Sequence, residues 1–306
     1  MCGIFGTLRP RQYTPTARHD AAAALLTLGD LAEERGTDSA GIATLHNRPL
    51  TTRTNSDADL VDRTAGRTRI VIALSPFSAR IPTVRRITGS LRSATLVLGH
   101  TRWATQGLVD LSNCSPMIVG AVLGTHNGDV TVPYTDGDHQ VAETDSAWLF
   151  SQLSSTTTVA AAAAVLTGVR GRAALAWVNA ARPGSLFLAR AALSPMAVAQ
   201  DSDGALWWAS NPAWLRKVGH RHHLGMSDPR MVHEGSAMEF RAAGDHVDMV
   251  AFRRFTATSR IRDQRLDHAI WRGFSARDRN FDLTRPGVKD RRHVARGTVT
   301  HLPKGG

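Results

Sequence analysis

Apolar positions along this chain fall into two rhythms. Runs of five to nine mostly apolar residues, "ATLVLGH", "IVGAVLGTH", "RAALAWVNA", "SLFLARA", "MAVAQ", "ALWWAS" and "HVDMVAF", recur between Gly, Pro and Asp from residue 94 to residue 252. Their length and borders predict strands, and the nearly continuous apolar character of many of them predicts burial between layers. The second rhythm is helical. An Ala/Leu-rich helix is predicted over 19–34, stopped by Gly36; another over 144–153, with Thr144 as its N-cap; and a third over 159–166, ending at Gly168. Two packed sheets with helices outside them fit this pattern.

Polar clusters sit where the apolar runs end. "GHTRWATQG", residues 99–107, carries Arg102, whose planar donor fork suits a carboxylate. "THNGDV" sets Asn127 beside Gly128, a side-chain amide next to an unhindered backbone N–H, as an oxyanion hole requires. Asn-Gly is also the strongest hairpin-turn dipeptide, and spacing leaves both readings open. "ETDSAWLF" puts Asp145 in the first turn of a helix, where an acid complements the dipole or holds an ammonium group. "ERGTDSAGIA", residues 34–43, reads as a helix stop with a capping aspartate. "MCGIFG" places Cys2 directly behind Met1, and removal of Met1 leaves a thiol and a free α-amine on one carbon. Their ordinary pKa values, about 8.5 and about 7.7–8.0, let the amine accept the thiol proton near neutral pH.

Composition adds a division of the chain. The 306 residues are 42% hydrophobic, enough for a proper core in one large domain or one domain with an extension. The net charge of +11 is uneven: residues 253–306 hold 14 Lys or Arg against 5 Asp, leaving a net +2 for the first 252. The expected organisation is therefore a globular domain over 1–252 and a basic extension over 253–306, helical around 260–274 and otherwise poorly ordered. The extension's arginines, interleaved with Trp271, Phe274 and Phe281, suit contact with a nucleic acid; a solvated charged segment is the alternative. Two thiols, Cys2 and Cys114, do not make a disulfide framework and fit a reducing cytoplasm. The chain has no secretory signal pattern and no run of about 18 apolar residues, so no membrane association is expected. "HRHH", residues 220–223, lacks a partner acid or cysteine at a ligand spacing, so no metal site is expected.

Taken together and in this order, "MCGIFG", "RGTDSAG", "GHTRWATQG", "THNGDV" and "ETD" resemble the class II glutamine amidotransferases, the N-terminal-nucleophile family. The likeness is strongest to the glutaminase domain of glutamine–fructose-6-phosphate aminotransferase and continues through "GRAALAWV", "LSPMAVA" and "ASNPAWL" to about residue 252. It implies an α+β fold, the Ntn-hydrolase αββα sandwich of two packed antiparallel sheets between helical layers. It makes Cys2 the nucleophile, with its own α-amine as base, and assigns the Asn127 side chain and the Gly128 N–H to the oxyanion. Arg102 would hold the α-carboxylate of L-glutamine and Asp145 its α-ammonium, with Trp103 and Thr105 lining the pocket. Arg35 and Gly36 would support the nucleophile. No metal or cofactor enters this chemistry.

Two departures stand out. Gln106 replaces the histidine usual in the sugar-making members, and "NCSPM", residues 113–117, stands where they read "NAHPH". The 54 residues after the domain are also too few for the two sugar-isomerase-type domains of the aminotransferase. The expectation is a stand-alone glutaminase that passes ammonia to an acceptor synthase in trans. The alternatives are a γ-glutamyl amide hydrolase, similar to the one of ergothioneine biosynthesis, and a non-catalytic regulatory module.

Overall fold

In a computed structural model, residues 2–104, 107–133, 142–259, 271 and 273–278 are described. Their strands form two antiparallel sheets. The first has nine strands in the order Arg230–Met231, Ala197–Gln200, Leu206–Ala209, Gly3–Leu8, Leu96–Arg102, Ser39–Leu45, Thr68–Ala73, Leu60–Ala65 and Arg53–Ser56. The second has six, in the order Val247–Arg254, Ser236–Ala242, Ser185–Arg190, Gly171–Asn179, Val122–Val130 and Met117–Val119.

Side-chain alternation explains why the apolar runs are nearly continuous. In Gly171–Asn179, Ala174 and Ala176 point into a layer shared with Ile4, Leu98 and Leu188 of other strands. Ala173, Leu175 and Trp177 point the other way, onto Leu149, Phe150 and Leu166 of the helices Asp145–Leu153 and Val159–Gly168. The nine-stranded sheet behaves alike: Ile4 faces the second sheet, whereas Phe5 packs with Leu25 and Leu28 of the helix Pro15–Ala32 and Trp214 of the helix Pro212–Arg221. Three apolar layers separate four structural ones, which is the expected αββα sandwich.

The helices match their sequence signals with one shift. The first starts four residues before residue 19, at Pro15, because Thr14 caps it by accepting from the Ala17 N–H and Pro15 pre-sets the first turn. Its far end tightens into a 3-10 turn, Glu33–Arg35, that closes on Gly36. Thr144 and Thr158 cap the other two as side-chain acceptors for Ala147 and Ala161.

Three local expectations need correction. "IVGAVLGTH" is not one strand: Gly120, at φ 57°, turns the chain between Met117–Val119 and Val122–Val130. Asn127-Gly128 is not a hairpin turn, because both residues lie within Val122–Val130, opposite Ala174 and Ala173. Asp38 does not cap a helix; its carboxylate accepts the Ala104 N–H at 2.7 Å, tying the start of Ser39–Leu45 to the loop after Leu96–Arg102. The last strand runs to Arg254, past residue 252, and beyond it Ala257 packs under the helical layer while Asp278 pairs with Arg216 at 2.8 Å. Most of the span 260–274 lies outside the described residues.

Candidate active site

Cys2 stands one residue ahead of Gly3–Leu8, a strand in the middle of the nine-stranded sheet, so its position is fixed by pairing on both sides. Neighbouring strands bring the other groups to the same end. Leu96–Arg102 pairs with Gly3–Leu8 and delivers His100, Arg102 and then Trp103; Val122–Val130, from the second sheet, delivers His126, Asn127 and Gly128. Asp145 begins the helix that covers this end. Cys2, His100, Arg102, Trp103, Gly128 and Asp145 line one narrow cleft with room for about one water, about 20 Å³.

The Cys2 thiol donates to the Trp103 carbonyl at 3.7 Å, and Arg35 donates from Nε to the Cys2 carbonyl at 3.0 Å. Burial in the cleft pushes the thiol pKa up; the bond to the Trp103 backbone and the charge of Arg102 oppose that rise. Arg35 is itself buried, which lowers its pKa to about 10, so it remains a cation at neutral pH. Gly36 has no room for a side chain, since a Cβ there would meet the backbone of Arg102 and Trp103.

Asn127 is fully buried. Its Nδ2 lies 3.3 Å from the Ser210 hydroxyl, and its Oδ1 has no partner. Ser210 also accepts the Ile4 N–H at 3.0 Å, so one hydroxyl links the strand behind Cys2 to the amide of Asn127. A Cβ at Gly128 would strike the Arg172 carbonyl and His126 Nε2, which keeps this strand tight against its neighbour. Asp145 accepts the Val130 N–H at 3.0 Å and the Ser146 N–H at 2.9 Å. Its carboxylate oxygens retain acceptor capacity beyond those two bonds. Arg102 donates to the Leu108 carbonyl at 3.0 Å, which orients its guanidinium along the cleft wall.

Two buried histidines were not singled out from the sequence. His100 donates from Nε2 to the His126 carbonyl at 3.1 Å, and burial drops its pKa to about 3. His126 is also lowered by burial, with Asp145 opposing, and its Nδ1 lies 2.9 Å from the Ser146 hydroxyl. Both are neutral at pH 7. Asn113 and Ser115, from the altered 113–117 segment, complete the lining, whereas Cys114 is buried with its thiol on the Asp110 carbonyl at 3.1 Å. Thr105 and Gln106 lie outside the described residues. Of the other expected site residues, Cys2, Arg102, Trp103, Gly128 and Asp145 border the cleft, with Arg35, Gly36 and Asn127 against its wall. Among the described residues, no group of three or more His, Cys, Asp or Glu is arranged to hold a metal ion, and no helix is long and apolar enough to cross a membrane.

Two antiparallel sheets between helical layers, with a cysteine at the head of a central strand, define the N-terminal-nucleophile hydrolase class of fold. By backbone, the chain matches the glutamine phosphoribosylpyrophosphate amidotransferase of B. subtilis complexed with ADP and GMP. The TM-score is 0.51 at 18% identity, over 83% of this chain and 49% of that one. It likewise matches a structure of the allosteric regulatory enzyme of purine biosynthesis, with a TM-score of 0.54 at 18% identity over 82% of this chain and 49% of that one.

Sequence carries the assignment further. The chain is 31% identical over 261 residues to the glutamine–fructose-6-phosphate aminotransferase (isomerizing) of Treponema pallidum, covering 81% of this chain and 36% of that protein. It is 27% identical over 155 residues to the protein of the same name from Oceanobacillus iheyensis, covering 48% of this chain and 21% of that one. No protein-family model matches. Over about four-fifths of its length the chain is similar in sequence to a class II glutamine amidotransferase, and it spans only about a third of the length of that Treponema relative.

Proposed function

We propose that this chain hydrolyses the side-chain amide of L-glutamine through a thioester on Cys2, releasing glutamate and ammonia. The observation that carries the reading is convergence: Cys2, Arg102, Gly128 and Asp145, from four separate stretches of sequence, border one cleft. An acceptor-binding partner uses the ammonia in trans.

With Met1 removed, the α-amine of Cys2 takes the thiol proton, directly or through a water. The thiolate attacks the amide carbon, and the carbonyl electron pair moves onto oxygen. The Gly128 N–H and the Asn127 amide stabilise that oxyanion. Turning the Asn127 amide over supports this role: the Ser210 hydroxyl then donates to Oδ1, and Nδ2 takes the position where no protein group now meets Oδ1. As the oxyanion collapses, the C–N bond breaks and the departing nitrogen takes the proton from the α-ammonium, leaving as ammonia. Water then adds to the thioester, and the C–S bond breaks to give glutamate and the free thiol.

Arg102 and Asp145 hold the α-carboxylate and α-ammonium of the substrate, and Trp103 borders its side chain. Trp103, half exposed, stands at the rim of the cleft. Asn113 and Ser115 reach the lining from the segment that departs from the sugar-making members, which supports a second reading in which the same chemistry acts on another γ-glutamyl amide. Glutamate release measured across a panel of γ-glutamyl amides separates the two: preference for glutamine by kcat/KM supports the first, and preference for another amide supports the second. Contact of the basic extension with a nucleic acid remains a separate proposal, tested by the salt dependence of binding to a single-stranded oligonucleotide.

A further inference from the structure

At the end of the sandwich opposite the cleft, the two sheets do not close on each other. Gly3–Leu8 starts beside the cleft and ends there at Leu8; Leu96–Arg102 and Val122–Val130 run the other way, starting at this far end and finishing at or near the cleft. Leu8, Leu45 and Leu96 of the nine-stranded sheet face Leu123, Val178 and Ala242 of the six-stranded one across a cavity of about 450 Å³. All six belong to the apolar layer between the sheets, but Leu45, Val178 and Ala242 are only partly buried. The volume lies in the range of about 300–1,000 Å³ that small-molecule sites occupy.

The mouth has one sign of charge. Arg11, Arg67 and Arg182 stand on it, and no Asp or Glu is among its described lining residues. Arg182 shares Glu239, 3.3 Å away on the outer side of its sheet, whereas Arg11 and Arg67 are exposed. The chain's own extension, with its net +9, has the wrong charge for this mouth.

We propose that this cavity binds a small organic anion with an apolar body, such as a medium-chain carboxylate. The body lies between the sheets, where it removes apolar surface from water, and the anionic head meets the arginines at the mouth. The proposal does not depend on the chemistry of the cleft.

Calorimetric titration of the full chain with octanoate, octan-1-ol and octyltrimethylammonium tests it. The expected result is one saturable site for octanoate, at least tenfold tighter than for either of the other probes. The double variant Arg11→Glu with Arg67→Glu, both at exposed positions, loses that preference, and Ala242→Trp, which fills the cavity, abolishes binding while glutamine turnover is retained in both. A matching far-UV spectrum and melting temperature establish that each variant is folded. Absence of saturable octanoate binding, equal binding of the three probes, or binding that survives a folded Ala242→Trp overturns the proposal.

Discussion

The two ends of this sandwich are built from the same strands and end in opposite chemistry. At the cleft end, charged groups of both signs crowd around about 20 Å³ of space, and Arg35 and Asp145 are held there by hydrogen bonds of 3.0 Å. At the far end, apolar side chains with a few neutral polar ones surround about 450 Å³, and arginines stand at the mouth with no Asp or Glu among the described lining residues. The interiors of the central strands are nearly interchangeable, because they alternate between the inter-sheet layer and a helical layer, whereas edge strands such as Arg53–Ser56 and Val247–Arg254 are largely exposed. Function is set by the residues at the strand tips. A small cleft with fixed donors suits stabilisation of a transition state, in which the groups must already be oriented, whereas a wide apolar space suits only binding.

The sharpest break of the comparison is at Cys2. Retention of Met1, or an N-terminal tag, removes the free α-amine, and glutamate release is expected to fall at least a thousandfold, checked by intact mass beside the rate; turnover by a blocked chain contradicts the amine as base. Next is Asn127→Ala, expected to cost about 3 kcal/mol, roughly a hundredfold, in kcat with little change in KM, as loss of one oxyanion donor does. Ser210→Ala should weaken the same step by a smaller factor, because Ser210 acts only by orienting the amide. Asp145→Asn and Arg102→Lys are expected to raise KM at least tenfold with a smaller fall in kcat, and a kcat loss at unchanged KM would reverse their assignment as substrate-binding groups.

A smaller effect concerns stability at the cleft end. Burial lowers the pKa of His100 to about 3, against an ordinary value near 6.5. The unfolded chain therefore binds the proton that the folded chain refuses. The contribution is fully present above about pH 6.5 and is lost as pH falls toward 3, by up to about 1.4 kcal/mol per pH unit. Urea midpoints measured from pH 7 to pH 4.5 should fall, and His100→Gln should show a slope shallower by about one proton. Identical slopes would mean that His100 is not held neutral. The smallest effect belongs to the far end, where Ala242→Trp should leave glutamine kcat/KM within twofold of the parent.

Much of the architecture was legible in the chain. The apolar runs marked about half of the described strands and missed those between Arg53 and Ala73, and Thr144 announced its helix. The first helix began earlier than its periodicity, because "PTAR" is polar and only the Thr14-Pro15 cap reveals it. Gly120 split a run that read as continuous, since an apolar stretch does not show where a single positive φ turns the chain. Asn127-Gly128 carried two meanings, and only pairing with Ala173 and Ala174 removes the turn.

The cleft was readable where residues clustered in motifs and hidden where they did not. His100 and His126 lay inside quoted motifs, and their burial was the missing fact. Ser210 ended an apolar run and gave no sign of reaching Asn127 across the sheets. The far cavity had no motif at all. Its lining comes from the last inward residues of strands that look like ordinary core, and the gap exists only because the sheets diverge there.

The most direct measurement is glutamate release from L-glutamine by the processed chain beginning at Cys2, run beside its Cys2→Ser variant. The account predicts steady release by the first and loss of at least a thousandfold in the second. Equal release by both proteins would contradict a thioester on Cys2, and with it the central reading of this cleft.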